Sequence, residues 1–453
     1  MTLHDRVAGL RAFQKSGGLR ETAQRRKILK KLRQAVESSR AEILNALDSD
    51  LHKCEAEAIF CELALLSQVL RTTLSTLRGR TRPRRVGAGM FNLGSSARIY
   101  PEAYGVALIG GTWNYPILLA LEPAVAALSA GNSVLLRLSD TAPASAKVLA
   151  AIVEKVGEPE AFAATAANWD EVLAEKFDCI FFTGGERMGK LIMSKAASTL
   201  TPVTLELGGK SPCIVTADAD LKAAARRIVW GKFLNAGQTC VAPDYIYVQV
   251  QVKDKLTREI RRAVREFYGD VPQESPCYGR IVSDFHFKRL TSMLVDGRLI
   301  CGGENDPAER YIAPTVIDMV DWNSPVMKQE IFGPILPVMT FETIEEVIAI
   351  LAAKPKPLAL YLFSTKHAVW RKIAAETSSG GMAINTVVMH LASENLPFGG
   401  VGASGMGAYH GMAGFAAFTH FKSILIKRLP FDWPFMLPPF SDWKLKILRF
   451  IGR

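Results

Sequence analysis

Several patterns that would assign the chain to a common protein class are missing. The seven cysteines form no Cys-x-x-Cys pair and no disulfide-type spacing, which predicts reduced thiols in a cytosolic compartment and no metal site. No uninterrupted apolar run reaches eighteen residues, because the longest candidate, 117–130, contains Glu122 and Pro123. The first thirty residues have no continuous apolar core, so a secretory signal is not expected.

The net charge of +11 is not accompanied by a nucleic-acid-binding pattern. The basic residues are not interleaved with base-stacking aromatics, so no nucleic-acid partner is predicted. The densest basic run, residues 78–85, surrounds Pro83 and is typical of a solvated connection. A chain of 453 residues that is 49% hydrophobic and 22% charged predicts a globular protein with two or three domains.

Strand and helix patterns alternate from Gly105 to about residue 392, which predicts parallel sheets with helices on their faces. Residues 5–77 repeat apolar side chains at helical spacing and predict an arm of helices before the first sheet. The predicted strands are 106–109, 133–138, 179–182, 212–215, 245–250, 358–363 and 381–385. The predicted helices include 116–130, 221–233 and 255–267.

Cys240 lies in residues 235–243, a predicted turn that follows a predicted helix, contains Gly237 and ends at Pro243. Such turns present side chains rather than packing them, which favours a nucleophile, whereas a buried structural cysteine is the alternative. Glu206 lies between Leu205 and Leu207 and is followed by a glycine pair. It is either an outward-facing strand residue or a desolvated carboxyl group whose raised pKa suits a general base. A cysteine and a glutamate of this kind form a plausible pair for covalent catalysis.

Five motifs in order resemble those of the aldehyde dehydrogenase superfamily over roughly residues 100 to 425. They are Gly111-Thr112-Trp113-Asn114-Tyr115-Pro116, Leu205-Glu206-Leu207-Gly208-Gly209-Lys210, Asn235-Ala236-Gly237-Gln238-Thr239-Cys240, Gln329-Glu330-Ile331-Phe332-Gly333-Pro334 and Leu396-Pro397-Phe398-Gly399-Gly400-Val401-Gly402. Within the superfamily, the chain resembles the class 3 branch, whose members act on fatty and aromatic aldehydes. The resemblance lies in the short N-terminal arm, the sequence of residues 201–206 and Gly407-Ala408-Tyr409-His410-Gly411.

The resemblance implies oxidation of an aldehyde, medium- to long-chain aliphatic or aromatic, to a carboxylic acid with NAD or NADP. It implies that Cys240 is the nucleophile and that Glu206 activates the water that releases the acid. It assigns the stabilisation of the oxyanion to the Asn114 amide and the backbone N–H of Cys240. An Asx turn or a helix cap before Pro116 is the alternative for Asn114.

The resemblance also implies a set of cofactor-binding residues: Thr112, Trp113, Arg137, Asp140, Thr183, Gly184, Gly185, Met188, Leu207, Gly208, Glu330 and Phe332. Two positions depart from the family, which usually has serine where Gly185 stands and Lys-Pro-Ser-Glu where Arg137-Leu138-Ser139-Asp140 stands. Both cofactors are therefore expected to be usable, with NAD slightly favoured. The alternatives are a helix N-cap for Asp140, a core aromatic for Phe332 and a solvated surface carboxylate for Glu330.

The expected domains follow from the resemblance and the patterns. Residues 1–85 and 105–205 are predicted to form a Rossmann-like NAD(P)-binding domain, and residues 206–392 a second, catalytic α/β domain. Residues 86–104 and 418–430 are predicted to form a β-hairpin element that bridges subunits, since class 3 relatives are dimers. A CoA-acylating enzyme and a non-catalytic binding protein on the same fold are the rival functions. Glu206 argues against the first, because a base that activates water is needed only for hydrolysis.

The C-terminal stretch, residues 431–453, is predicted to be an amphipathic tail. Asp442 is expected to cap a helix in which Trp443, Ile447 and Phe450 share one side while Lys446 and Arg449 share the other. Two roles are open: the tail docks on protein, or it lies in a membrane interface. The second role predicts a cytoplasmic enzyme with peripheral membrane contact.

Overall fold

The computed structural model describes residues 2–295, 297–427 and 432–452. The chain divides into two compact units, Met1–Arg80 with Ala103–Thr419, and Thr81–Glu102 with His420–Arg453. The first unit carries both large sheets and is the one that contains the candidate active site.

Short apolar runs between turn residues form the strands, and amphipathic repeats form the helices. The α-helices of the described residues are α1 (Leu3–Lys15), α2 (Thr22–Ser38), α3 (Arg40–Leu51), α4 (Glu55–Ala58), α5 (Leu65–Arg80), α6 (Leu118–Ala130), α7 (Pro143–Val156), α8 (Trp169–Ala174), α9 (Glu186–Ala197), α10 (Leu221–Phe233), α11 (Lys253–Tyr268), α12 (Asp284–Thr291), α13 (Ile344–Ala352), α14 (His367–Glu376), α15 (Gly411–Ala417) and α16 (Asp442–Ile451). The strands of the same residues are β1 (Arg84–Val86), β2 (Ser95–Ala103), β3 (Val106–Gly110), β4 (Ser133–Arg137), β5 (Phe162–Thr165), β6 (Cys179–Thr183), β7 (Val203–Glu206), β8 (Pro212–Val215), β9 (Tyr245–Gln249), β10 (Arg298–Cys301), β11 (Asn305–Asp306), β12 (Tyr311–Ile312), β13 (Thr315–Asp318), β14 (Ile335–Phe341), β15 (Ala359–Phe363), β16 (Gly381–Ile384), β17 (Gly405–Met406) and β18 (Thr419–Lys427).

The first large sheet has the order β17-β7-β6-β3-β4-β5 and is parallel except for β17. Every residue of β3 and β4 is buried, as expected for strands covered by helices on both faces. The chain moves outward from β3 through β4 to β5, and then returns to β6 on the other side of β3. Such a reversal opens a crevice at the carboxyl ends of the strands, where α/β proteins bind ligands. The Rossmann-like architecture predicted for this part of the chain is confirmed.

The second large sheet has the order β10-β13-β14-β9-β8-β15-β16, and only β10 runs antiparallel to its neighbour. Helices α10 and α11 pack against each other beside it. The predicted α/β architecture with two largely parallel sheets is therefore confirmed. The boundary between the two domains at residues 205 and 206 stays a prediction.

The N-terminal arm packs on the first sheet through α2, α3 and α5, which contact α6 and α7. A π-helical segment, Ile59–Ala64, joins α4 to α5. The continuous run Glu55–Arg80 is the one stretch of the described residues whose length and apolar composition would allow it to cross a membrane. Half of that window is buried within the protein, as in a core helix.

The second unit contains a three-stranded sheet with the order β1-β2-β18. Strands β1 and β2 form an antiparallel hairpin with Arg84 opposite Ile99, so the hairpin begins two residues before the predicted range 86–104. Helix α16 starts with Asp442 in its first turn and Ser441 at the N-cap, so the prediction that Asp442 caps it is wrong. Residues 428–430 of the predicted bridging element and residues 431 and 453 of the predicted tail lie outside the described residues.

Candidate active site

The turn that carries Cys240 has an unusual backbone. Helix α10 ends at Phe233, and Asn235, Ala236 and Gly237 then adopt φ values of 52°, 50° and 76°. A left-handed alanine is uncommon because its Cβ crowds the backbone. A Cβ at Gly237 would lie 2.2 Å from the carbonyl oxygen of Gly333, so only glycine fits there. The turn therefore needs hydrogen bonds to segments that are distant in the sequence.

Gln238 supplies those contacts. Its Nε2 donates to the carbonyl oxygens of Asn235 (3.0 Å) and Arg280 (2.9 Å), and its Oε1 accepts from the backbone N–H of Val282 (2.9 Å). All three bonds are buried, where a satisfied polar network rigidifies its surroundings. Gln238 thus fixes the loop two residues before Cys240.

Cys240 is partly buried and surrounded by groups that disfavour its thiolate. Burial raises the pKa of the thiol to about 12, and the nearby carboxyl groups of Glu330 and Glu206 contribute to the increase. The side chain is therefore a neutral thiol at neutral pH, and it needs a proton acceptor in order to attack a carbonyl group.

Glu206 is the last residue of β7, between Thr183 of β6 and Gly405 of β17. Its side chain is buried, and neither carboxyl oxygen has a hydrogen-bond partner within the part of the chain that the structure describes. Burial raises its pKa well above the ordinary value. The desolvated alternative is therefore the correct one, and the outward-facing alternative is wrong.

Asn114 lies between the first sheet and the nucleophile loop and is buried. Its Oδ1 accepts from the Thr112 hydroxyl (3.1 Å), and its Nδ2 donates to the carbonyl oxygen of Gln238 (3.1 Å). The second N–H of the amide has no acceptor among the hydrogen bonds of the described residues, so a ligand can use it. The alternative role as a helix cap is wrong, because α6 begins only at Leu118 and its first N–H groups bind Glu62.

Cys240 and Glu206 line the same apolar pocket, which holds about 1020 Å³ of empty space including its open mouth. Its walls combine the arm, helix α6, helix α10 and the segment that follows β16. The apolar lining includes Phe60, Leu65, Val69, Tyr115, Leu118, Leu119, Trp230, Leu234, Val388, Leu391, Phe398 and Tyr409. Glu122, Glu394 and His410 are polar residues of the same lining. The composition of the lining suits a substrate with a substantial apolar portion.

The segment from the end of β6 to the first turn of α9 contains four of the predicted cofactor residues. Gly185 is the N-cap of α9, and a Cβ there would have no atom within 4 Å, so the space beside it is open. The Thr183 hydroxyl is buried, and no partner for it occurs among the described residues. Gly184 packs directly on the ring of Phe182, and Met188 lies one turn into the helix. Open space and unbonded N–H groups at a helix start fit a dinucleotide phosphate.

Glu330 packs against the backbone of Gly208, where an added Cβ would lie 1.9 Å from Glu330 Oε2. It accepts a hydrogen bond from the backbone N–H of Gly209, but burial and nearby Asp244 raise its pKa to about 8. Phe332 has a φ of 49° and meets the ring of Trp113 edge-on at 5.3 Å between centroids. The surface alternative for Glu330 is therefore wrong. Leu207 lines the apolar pocket beside Glu206.

Arg137 and Asp140 lie at the carboxyl end of β4 and pair with each other. The Arg137 guanidinium is buried, donates to the carbonyl oxygen of Ala167 (3.2 Å) and stacks over the ring of Trp169. Helix α7 starts at Pro143 with Ala142 at the N-cap, so the N-cap alternative for Asp140 is wrong. Neither residue lines the apolar pocket.

Sequence reasoning did not identify Lys53 and Glu62, whose side chains contact the Asn114 segment. Their separation of nine residues follows no helical spacing, so no local pattern pointed to them. Tyr115, Tyr409 and His410 belong to quoted motifs, but no role for them was predicted.

Comparisons with known proteins agree with this geometry. The model of the aldehyde dehydrogenase family matches residues 8–424. The chain is 41% identical to aldehyde dehydrogenase family 3 member A2 of Rattus norvegicus over 98% of this chain and 93% of that protein. It is also 41% identical to the 4,4'-diaponeurosporen-aldehyde dehydrogenase of Staphylococcus aureus, over 97% of this chain and 96% of that protein.

A solved structure described as the substrate-bound state of Staphylococcus aureus AldH superposes with a TM-score of 0.97 at 40% identity, and each chain is covered completely. These matches span nearly the whole chain, including both sheets and every residue of the candidate site. The chain belongs to the aldehyde dehydrogenase family, within its class 3 branch, and is an NAD- or NADP-dependent aldehyde dehydrogenase.

Proposed function

We propose that the enzyme oxidises medium- to long-chain aliphatic aldehydes to carboxylic acids through covalent adducts on Cys240. The observation that carries this proposal is that Cys240 and Glu206 line one pocket whose walls are mostly apolar. A pocket whose lining is mostly apolar gains affinity from every methylene of an alkyl chain that it buries. The name of the Staphylococcus aureus relative, a dehydrogenase of a diaponeurosporen aldehyde, supports an apolar substrate class.

In the first step the sulfur of Cys240 adds to the aldehyde carbon, and the thiol proton passes to the carbonyl oxygen. The product is a thiohemiacetal. Its oxygen carries negative charge as the bond forms, and the uncommitted N–H of Asn114 and the backbone N–H of Cys240 are the donors for it. Because the resting thiol has a raised pKa, proton removal and carbon–sulfur bond formation are coupled.

The candidate cofactor residues fit a dinucleotide, as the open space beside Gly185 and the Thr183 hydroxyl, which has no partner among the described residues, indicate. Thr183 to Met188 would hold its phosphates, while Glu330 and Phe332 would hold its nicotinamide end. When bound, the nicotinamide would supply the hydride acceptor. Loss of the hydride from the carbon and of the hydroxyl proton to solvent would convert the thiohemiacetal on Cys240 to a thioester.

Release of the acid requires a water molecule, and Glu206 is the proposed base. Once ionised, its carboxylate takes a proton from the water, whose oxygen attacks the thioester carbon. The carbon–sulfur bond breaks, and the proton passes from Glu206 to the sulfur of Cys240, which regenerates the thiol and the base. A carboxyl group with a raised pKa is a stronger base than an ordinary one. The CoA-acylating alternative needs no such base, so the desolvated Glu206 favours hydrolysis.

The proposed cofactor range includes both NAD and NADP. A free carboxylate at Asp140 would repel a 2′-phosphate, but the pairing with Arg137 balances that charge. The guanidinium is partly committed to Ala167 and Trp169, which leaves less of its hydrogen-bonding capacity for ribose or phosphate. Because Asp140 repels a 2′-phosphate only weakly and Arg137 attracts it only weakly, both NAD and NADP are accepted.

A chain-length series tests the substrate proposal. Aldehydes of increasing alkyl length, together with aromatic aldehydes, are assayed for NADH and NADPH formation. We expect kcat/KM to rise with chain length, since each buried methylene contributes about 0.8 kcal/mol at most. A profile that is flat, or that favours aromatic aldehydes, would contradict it.

We also propose that the enzyme is a dimer in which the edge strand β18 pairs with the other subunit. In the order β1-β2-β18 this strand is at the border of its sheet, and Phe421, Leu425 and Ile426 are exposed on it. An exposed apolar edge strand is a site for pairing with another chain. Light scattering of the enzyme and of Leu425→Lys tests this, and a native monomer would contradict it.

The last part of the proposal concerns α16 as a membrane contact. No described residue of this helix is buried, and its Trp443 and Phe450 are 50% and 81% exposed. Aromatic anchors beside Lys446 and Arg449 suit the interface of an anionic bilayer. The proposed location is the cytoplasm, with peripheral contact at a membrane surface where lipophilic aldehydes concentrate.

A further inference from the structure

A buried ion pair lies in the N-terminal arm, outside every recognised motif. Lys53 Nζ donates to Glu62 Oε1 at 2.7 Å, and both side chains are fully inaccessible to solvent. Lys53 follows α3, and Glu62 lies in the π-helical segment Ile59–Ala64. An extra residue in a helix turn changes the direction of the side chains that follow it. Such segments are frequent at functional sites.

Both ions contact the segment that carries Asn114. Lys53 Nζ donates to the carbonyl oxygen of Asn114 at 2.9 Å and lies 4.1 Å from the ring centre of Tyr115. Glu62 Oε2 accepts from the backbone N–H groups of Ile117 (2.8 Å) and Leu118 (3.2 Å). The pair therefore holds the residues from Asn114 to the start of α6 at both ends.

The same segment is bonded to the nucleophile loop. The carbonyl oxygen of Asn114 also accepts from Asn235 Nδ2 at 2.9 Å, and the Tyr115 hydroxyl lies 2.7 Å from the Thr239 hydroxyl. Thr239 directly precedes Cys240. A displacement of the Asn114 segment is thus transmitted to both sides of the position where the oxyanion forms.

The energetics argue that the pair is not present for stability alone. Removing two charges from water costs several kcal/mol per ion, and apolar replacements of buried pairs are often neutral or stabilising. What an apolar pair cannot do is donate to the Asn114 carbonyl and accept from two helix N–H groups at once. Those directional bonds fix a backbone to within fractions of an ångström.

We propose that Lys53 and Glu62 are positioning residues that hold the Asn114 amide and the nucleophile loop in the geometry needed for addition to the aldehyde. This inference rests on the oxyanion role of Asn114 in the proposed function. The two residues do not touch the substrate; they act through Asn114 and Tyr115.

The test is the double variant Lys53→Met with Glu62→Gln, which removes both charges while the amide oxygen introduced by Glu62→Gln still accepts from the start of α6. We expect the unfolding temperature to stay near that of the native enzyme. The rate of the first turnover should fall on the order of a hundredfold, as for a 1 Å misplacement of a catalytic group. The KM for the cofactor should not change. The matched control is Lys31→Met with Glu158→Gln, a 2.6 Å pair that also begins in the arm, which should leave the rate unchanged.

A double-mutant cycle with Asn114→Ala identifies the route. If the pair acts through Asn114, the double variant costs much less in the Asn114→Ala background than in the native one. Equal fold losses in both backgrounds would overturn the part of the inference that concerns the Asn114 amide, and a native first-turnover rate in the double variant would overturn the whole of it. A native rate in Asn114→Ala by itself would instead overturn the oxyanion role in the proposed function.

Should the double variant not fold, Glu62→Asp decides the question. It keeps the charge but shortens the reach to Ile117 and Leu118 by one methylene. A lowered first-turnover rate with unchanged cofactor KM is the expected result, and a native rate would refute the positioning role.

Discussion

The carboxyl group of Glu330 lies so close to the backbone of Gly208 that a Cβ at this glycine would be 1.9 Å from Oε2. No side chain other than hydrogen fits at residue 208 unless Glu330 moves. Gly208→Ala should therefore displace Glu330 and weaken dinucleotide binding by about tenfold, the loss of roughly one charge-assisted hydrogen bond. Titration of the cofactor by calorimetry measures this. Gly9→Ala in α1 is the matched control, because a Cβ there meets nothing within 4 Å and Gly9 is not one of the candidate cofactor residues. Equal affinities of the two variants would contradict the prediction.

Charge around Cys240 predicts a pH effect on its reactivity. The pKa of the thiol is raised to about 12 by burial first and by the charge of Glu330 next. Removal of that charge in Glu330→Gln should lower the thiol pKa and speed alkylation by iodoacetamide at alkaline pH. The pKa of Glu330 is itself raised to about 8, so below that pH the native carboxyl is already neutral and the two proteins should react alike. Curves that coincide at every pH would contradict the electrostatic explanation.

Cys240→Ser should abolish aldehyde oxidation while leaving the fold intact. The change is nearly isosteric, but a serine hydroxyl has no thiolate form and a poorer nucleophilicity in this apolar site. Turnover is followed by NADH absorbance and folding by thermal unfolding. Normal turnover in a folded Cys240→Ser protein would refute the covalent mechanism.

Glu206→Gln separates the two halves of the reaction. If Glu206 activates the water, the variant should form one equivalent of NADH per active site in a burst and then stall as a thioester. Its steady-state rate should fall by roughly a hundred- to ten-thousandfold. Loss of the burst would show that Glu206 activates Cys240 instead, and a full steady-state rate would remove it from the mechanism.

Much of the site could be predicted because its residues occupy contiguous motifs. Strand β3 is a short apolar run that ends in glycine, so the position of the Asn114 motif shortly after it could be located in advance. Strand β7 was not among the predicted strands, but the glycine pair Gly208-Gly209 marked the end of the apolar run that carries Glu206. The backbone of Ala236 could not, because alanine has no local preference for a positive φ and the loop is held by hydrogen bonds to residues distant in sequence, such as that of Gln238 to Arg280.

The Arg137–Asp140 pair shows a different limit. A helix N-cap was an open alternative for Asp140, but α7 starts only at Pro143 with Ala142 at the N-cap, and the carboxylate pairs with Arg137. Competition between a local cap and a nearby charge depends on side-chain positions that the sequence does not contain. The Lys53–Glu62 pair was missed for the same reason, since it joins residues through a third segment.

Deletion of residues 438–453 tests the role of the tail. The variant lacks α16, so it should bind anionic phosphatidylserine vesicles less than the full chain does, while neutral phosphatidylcholine vesicles serve as the control. KM for long-chain aldehydes should rise, and KM for short ones should change little. If the full chain does not bind anionic vesicles and the chain-length profile is unaltered, the membrane role is refuted and docking on protein remains.

The hydrogen bond from Lys53 to the carbonyl oxygen of Asn114 affects when activity is acquired during folding. The bond closes a loop of 61 residues, and Asn114 is in turn tied to Gln238 across 124 residues. Contacts so distant in sequence form late, since the entropy of closing each loop is lost before the contact stabilises anything. Helical signal should therefore return before catalytic competence when the denatured enzyme is diluted into buffer, and a fragment that ends before the nucleophile loop should gain helices but no ordered oxyanion site.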